Sequence, residues 1–244
     1  MRYLIAGNWK MNGSTASARD LAAAIAAQHA GAKADVVLCP PAPLLAAVGA
    51  TLAGSTIRLG AQDCHFNEKG AHTGDISAWL LLDLGCTHVI VGHSERRADH
   101  GETDGQVKAK ATAAMKAGLI PIVCVGETEA QREKGETAAV IARQVRGSLP
   151  DGASPETVVI AYEPVWAIGT GKTATTADIA AVHGQIQQLC GPKPPRILYG
   201  GSVKGSNAAA ILATPGVSGA LVGGASLDAA DFWRIVEACP PVSA

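Results

Sequence analysis

Eight short apolar runs, recurring about every thirty residues, constrain this chain more than any other feature: YLIAG, VVLC, IRLGA, HVIVG, IPIVCV, TVVIAY, RILYG and GALVG. A strand with one wet face alternates apolar and polar residues, because successive side chains point to opposite faces. Unbroken apolar runs of this length instead fit strands covered on both faces, as in a parallel sheet. Between the runs lie Ala-rich segments with helical spacing, at residues 16–30, 103–117, 129–146, 176–190 and 228–238. Strict alternation of strand and helix implies right-handed crossovers and a parallel sheet. Eight such units in 244 residues match a closed (β/α)8 barrel, for which about 250 residues is typical, whereas open doubly wound sheets usually have fewer strands. No Ser/Pro-rich linker or charge run divides the chain, so one catalytic domain over residues 1–244 is expected.

Composition narrows the function classes. The chain is 48% apolar but only 4% aromatic, so the core must be built from Ala, Val, Leu and Ile. A net charge of -1 gives no general attraction to nucleic acid or to an anionic membrane. The apolar runs fall well short of the roughly twenty residues that span a bilayer, and the first residues enter a strand rather than a signal peptide. A soluble cytoplasmic protein is expected. Six cysteines are scattered without CxxC spacing, which favours free thiols over disulfides. Cys64 and His65 with His72 lack a second matched pair of ligands, so a packed thiol and surface histidines are expected and no metal.

The stretch PVWAIGTGKTAT, residues 164–175, resembles two nucleotide motifs and satisfies neither. A P-loop needs glycine five positions before the GKT glycine, and counting back from Gly171 reaches Trp166. A dinucleotide turn should follow a strand directly and meet an acidic residue about twenty residues on; residues 192–196 hold none.

Barrel enzymes carry their reactive groups where strands end and the following loops begin. The first strand ends in GNWKMNG, with Asn8 and Lys10; the fourth in VGHSERR, with His93, Ser94 and Glu95; the sixth in AYEPVW, with Glu163. The seventh and eighth end in the glycine-rich turns YGGSV and LVGGAS. Singly, each of these has an ordinary structural explanation. Together, on the barrel, they bring a carboxylate, an imidazole, an ammonium and a carboxamide to one mouth. A carboxylate facing neutral donors suits proton abstraction beside a carbonyl, and glycine turns offer backbone amides to a phosphate. No cofactor motif is present or needed, so isomerisation of a small phosphorylated aldose or ketose is expected.

GNWKMNG, GAHTGDIS, VGHSERR, AYEPVWAIGTGKTAT, YGGSV and LVGGASL, in this order over nearly the whole chain, resemble the triosephosphate isomerase family. The resemblance implies a TIM barrel and a homodimer that interconverts dihydroxyacetone phosphate and glyceraldehyde 3-phosphate without a cofactor, in glycolysis and gluconeogenesis. By the same resemblance Glu163 shuttles a proton between two carbons, neutral His93 polarises the carbonyl, and Asn8 and Lys10 bind substrate. Ser94 and Glu95 orient the cluster, with Glu95 near Lys10, and backbone amides around Gly169, Ser202, Gly223 and Gly224 hold the phosphate. Residues 164–175 become a mobile lid rather than a nucleotide loop. The chain departs from the family at His72, where an aromatic is common, and at Asp75, where glutamate is usual. The loop that carries them is expected to dock into a partner subunit, taking Thr73 toward the partner's site and Asp75 toward the partner's Arg96. Two alternatives differ in class: a Schiff-base aldolase built on Lys10, and a barrel that binds without turnover. The polar neighbours of Lys10 and the joint presence of Glu163, His93, Lys10 and Asn8 weigh against them.

Overall fold

In a computed structural model, described over residues 2–28, 32–169 and 172–241, eight parallel strands close into a barrel in chain order, and the last pairs back onto the first. The elements are β1 (Leu4–Asn8), α1 (Thr15–Ala27), β2 (Asp35–Cys39), α2 (Leu45–Thr51), β3 (Arg58–Ala61), α3 (Ala78–Asp83), β4 (Cys86–Val91), α4 (Ser94–Asp99), α5 (Asp104–Ala117), β5 (Ile120–Val125), α6 (Glu129–Glu133), α7 (Thr137–Ser148), β6 (Val159–Tyr162), α8 (Thr176–Cys190), β7 (Arg196–Tyr199), α9 (Ala208–Leu212), β8 (Gly219–Val222) and α10 (Ala229–Glu237). Every apolar run singled out in the sequence is a strand, and β1, β6, β7 and β8 are buried at each position.

Strand parity sets the two cores. Leu4, Ala6, Val37, Cys39, Ile90, Ile122, Cys124, Val159, Ala161, Leu198 and Leu221 form one cluster, every second residue of the strands that supply it, and fill the lumen. Their neighbours Ile5, Val36, Leu38, Val89, Val91, Val123 and Ile160 belong to the other cluster, which packs against the surrounding helices. Continuing the inward parity by two residues from Ala6 reaches Asn8, and from Ala161 reaches Glu163. Both are buried polar side chains at the same end of the barrel. The same pleat that packs the lumen therefore aims the chemistry.

Several helices start on side-chain caps. Thr103 with Gln106, Thr128 with Gln131 and Thr175 with Asp178 form reciprocal capping boxes at α5, α6 and α8. The last of these explains the end of the 164–175 stretch, whose final threonine caps a helix. Thr170 and Gly171 of that stretch, and His29 and Ala30 of the first Ala-rich segment, lie outside the described residues. One expectation needs correction: residues 129–146 are two helices, α6 and α7, because the chain turns at Gly135 with φ 73° before α7 begins. All six cysteines carry free thiols, five of them buried. No helix among the described residues is long and apolar enough to cross a membrane.

Candidate active site

At the end of β1 the chain turns so that the Asn8 Oδ1 accepts the Lys10 backbone N–H at 3.0 Å. Lys10 takes φ 52°, in the left-handed region that a non-glycine residue seldom occupies. The turn is held from the side, since Gln62 Nε2 donates to the Lys10 carbonyl at 2.9 Å and to the Cys39 carbonyl at 2.9 Å. The Lys10 ammonium lies 2.5 Å from Glu95 Oε1, an ion pair between two partly exposed groups.

At the end of β4, His93 caps α4, and its Nδ1 accepts the Glu95 backbone N–H at 3.2 Å. With that nitrogen acting as acceptor, the proton of the neutral ring sits on Nε2. Nε2 lies 2.8 Å from Glu163 Oε1, while the Ser94 backbone N–H donates to Glu163 Oε2 at 2.9 Å and the Ser94 hydroxyl to Oε1 at 3.4 Å. The Glu163 side chain is 2% exposed and that of His93 7%, so this contact is shielded from water.

Burial and contact act against each other here. Burial alone would drive protons onto Glu163, but the His93 ring and then the Ser94 amide outweigh it and hold the carboxyl below its ordinary value. For His93, burial disfavours the charged ring, yet the adjoining Glu163 carboxylate more than offsets this and raises its pKa. Beneath them, burial and then the Glu163 charge keep the Cys124 thiol protonated, so that it is a donor toward the carboxylate. Glu163 also needs bare backbone beside it: a Cβ on Gly126 would lie 1.7 Å from the Glu163 carbonyl oxygen.

Asn8, Lys10, His93 and Glu163 line one cavity of about 330 Å³ with Gly169, Ser202, Gly223 and Gly224. Eight expected residues, drawn from loops after five different strands, thus share a single hollow. Ser94 and Glu95 stand behind it, one on Glu163 and the other on Lys10. Thr73 is exposed on the loop between β3 and α3 and is not brought to this chain's cavity. Arg96 pairs within its own chain, with Asp63 at 2.9 Å and Glu102 at 2.7 Å.

Sequence reasoning missed Glu127. Its side chain is fully buried, and its Oε1 accepts from Trp166 Nε1 at 2.8 Å and from the Tyr162 hydroxyl at 3.2 Å. It therefore ties the start of the 164–175 stretch to the end of β5. Its position just beyond the apolar run IPIVCV, at a strand end like the other candidates, was the available signal. Lys204 and Asp231, which also line the cavity, had no such signal.

A closed barrel with a desolvated carboxylate–imidazole pair at the C-terminal ends of its strands, beside a glycine-rich rim and an ammonium, defines an acid–base enzyme of the (β/α)8 class for a small anionic substrate. The sequence profile of triosephosphate isomerase matches residues 3–239. The triosephosphate isomerase of Xanthobacter flavus is 57% identical, with 97% of each chain covered, and that of Rhodopseudomonas palustris is 56% identical, with 98% of each covered. The crystal structure of triosephosphate isomerase from Bartonella henselae superposes with a TM-score of 0.91 at 48% identity, covering 98% of this chain and 99% of that one. The chain belongs to the triosephosphate isomerase family.

Proposed function

We propose that this site interconverts dihydroxyacetone phosphate and D-glyceraldehyde 3-phosphate by proton transfer through an enediolate, with residues 1–244 forming one catalytic domain. Membership of the family supports the reaction, an aldose–ketose isomerisation of glycolysis and gluconeogenesis. The observation that carries the assignment of roles is the contact between Glu163 Oε1 and His93 Nε2. A substrate carbonyl entering the cavity takes the place of the carboxylate as acceptor of the Nε2 proton. Glu163 is released to face the adjacent carbon, where it acts as general base. The charge that develops on oxygen meets His93, Lys10 and Asn8, which are already in place and need little reorganisation. With Glu163 turned to the substrate, burial and the Glu95 amide on Nδ1 favour the neutral imidazole. The phosphate binds at the opposite rim, on backbone amides around Gly169, Ser202, Gly223 and Gly224. Closure of the 164–175 segment over it excludes water from the enediolate.

A coupled assay with D-glyceraldehyde 3-phosphate tests the reaction, and its expected outcome is turnover without added cofactor. Borohydride trapping with dihydroxyacetone phosphate tests the aldolase alternative. Lys10 held against Glu95 should give no covalent adduct, and a stoichiometric adduct on Lys10 would favour the alternative.

The protein is further proposed to work in the cytoplasm as a homodimer. The loop between β3 and α3 projects Thr73, and beside it lies a hollow lined by Met11, Pro41, Leu45, Gly74 and Arg96. Met11 is 94% exposed and Leu80 56% exposed, apolar side chains that a partner would cover. The Thr73 tip of the partner fits that hollow by this reading. Sedimentation should show a dimer at assay concentration, and a fully active monomer would remove the role of Thr73.

A further inference from the structure

We propose that Lys204 is the cation that selects a phosphate dianion at this site, offsetting the carboxylate of Asp231 on the same wall of the cavity. The inference rests on the triose phosphate reading of the cavity and adds to it the residue that discriminates by charge. Among the described residues, four carboxylate or ammonium side chains line the hollow: Lys10, Lys204, Glu163 and Asp231. Lys10 is matched by Glu95 at 2.5 Å. Glu163 and Asp231 are left facing the substrate, with Lys204 as their one offsetting cation. The glycine-rich turns bring neutral amides to the phosphate and no further cation. A phosphate monoester carries close to two negative charges at neutral pH. Without Lys204 it would enter a cavity whose unmatched side chains are both carboxylates, and like charges at this range repel.

The local fold fixes the position of Lys204 and leaves its ammonium free. Asn207 straddles the turn after β7: its Oδ1 accepts the Lys204 N–H at 2.8 Å, and its Nδ2 donates to the Ser202 carbonyl at 3.1 Å. Lys204 stands two residues from Ser202, so their Cα atoms lie within about 7 Å of each other. The turn is clipped to α10, because the Gly205 N–H donates to Asp231 Oδ1 at 3.1 Å. That approach requires bare backbone: a Cβ on Gly205 would lie 2.8 Å from the same oxygen and 2.6 Å from the Arg234 Cβ. Asp231 therefore holds the turn, and its charge comes with that role. Lys204 itself is exposed, and its ammonium makes no hydrogen bond or ion pair among the described residues. A point charge on a flexible four-carbon stem can follow an anion from the mouth of the cavity to the amides.

Steady-state kinetics with D-glyceraldehyde 3-phosphate and calorimetric titration with inorganic phosphate test the inference, each at low ionic strength and at about 0.2 M salt. Lys204→Gln should raise both KM and the phosphate Kd about fivefold at low salt, with kcat held within about twofold, and the gap should close as salt rises. Lys204→Arg should restore both values. The slow turnover of D-glyceraldehyde, which lacks the phosphate, should be the same with and without Lys204. Asp231→Asn keeps an oxygen for the Gly205 N–H but removes the charge, so it should tighten phosphate binding. Unaltered phosphate binding in Lys204→Gln, a loss confined to kcat, an equal loss with D-glyceraldehyde, or weaker phosphate binding in Asp231→Asn would each overturn the proposal. Phosphate binding that responds to the variants as expected, in a chain that turns over no triose phosphate, would support the role of Lys204 and contradict the isomerase reading.

Discussion

The strand β4 has a histidine toward each end, and the two are opposite in every respect except burial. His88 points into the closed end of the barrel, fully buried, with Nδ1 2.8 Å from the Thr87 hydroxyl and Nε2 without a partner among the described residues. Burial drives its pKa down to about 3, and the nearby cations Arg196 and Arg58 lower it further against the opposing charge of Asp35. His93 lies just past the other end of the strand, also buried, yet its pKa is raised by the carboxylate of Glu163. Burial alone does not make a working imidazole; the ionised partner supplied by β6 does. The closed end stores a neutral ring as packing, while the open end holds a proton between two groups and is ready to release it.

The largest expected effect breaks this comparison at its closed end. The folded-state pKa of His88 lies below the ordinary value of 6.5, so below that pH the unfolded chain takes up the proton and the folded chain resists it. Stability from this group is complete above pH 6.5 and is lost as pH falls toward 3. Between pH 6.5 and 4 the loss should be on the order of 3 kcal/mol. His88→Gln should flatten the pH dependence of denaturant unfolding over that range, and an unchanged slope would remove His88 from the account. His183, whose pKa burial lowers to about 4, adds a second loss in the same window that the substitution leaves in place.

A smaller effect sharpens the comparison at the open end. Gly169 takes φ 71° with open space around it, so the strain on a side chain there is conformational rather than steric. Gly169→Val should lower turnover about tenfold, the size of a strain of 1–3 kcal/mol placed on closure. Lys172 is paired with Glu129 at the far side of the same segment, and Lys172→Ala should change turnover least of all. Neither variant should bind ATP. Stoichiometric ATP binding that disappears in Lys172→Ala would restore the nucleotide reading of GTGKT.

How much of this was legible in the sequence follows from the reach of each interaction. The eight strands were legible because each is buried on both faces and so appears as an unbroken apolar run. Asn8 and Glu163 were legible because each stands where an apolar run ends, and the inward parity of its strand reaches it. The helix over residues 129–146 was misread because the residues on both sides of Gly135 form helices, and only that glycine marks the turn between them. The support of the site was hidden for another reason. Ser94 meets Glu163 across 69 residues, and Glu127 meets Trp166 across 39. The Arg97 guanidinium gathers the Gly92 and Cys124 carbonyls with Asp104 and Ser148, binding the ends of β4 and β5 to α5 and α7. No local pattern announces such contacts, since they exist only once the barrel has closed. The loop between β3 and α3 shows the same limit: Cys64 and His65 adjoin in sequence, but only the folded loop turns the thiol inward and brings Asp75 to the imidazole.

The central claim is that the Glu163 carboxylate, released from His93, is the base that moves the proton. Isomerisation of D-glyceraldehyde 3-phosphate, measured side by side for the unaltered chain and Glu163→Asp, tests it most directly. Shortening the side chain by one methylene withdraws the carboxylate by more than about 1 Å, and the expected result is a loss on the order of a hundredfold in kcat. Full turnover by Glu163→Asp would contradict the claim.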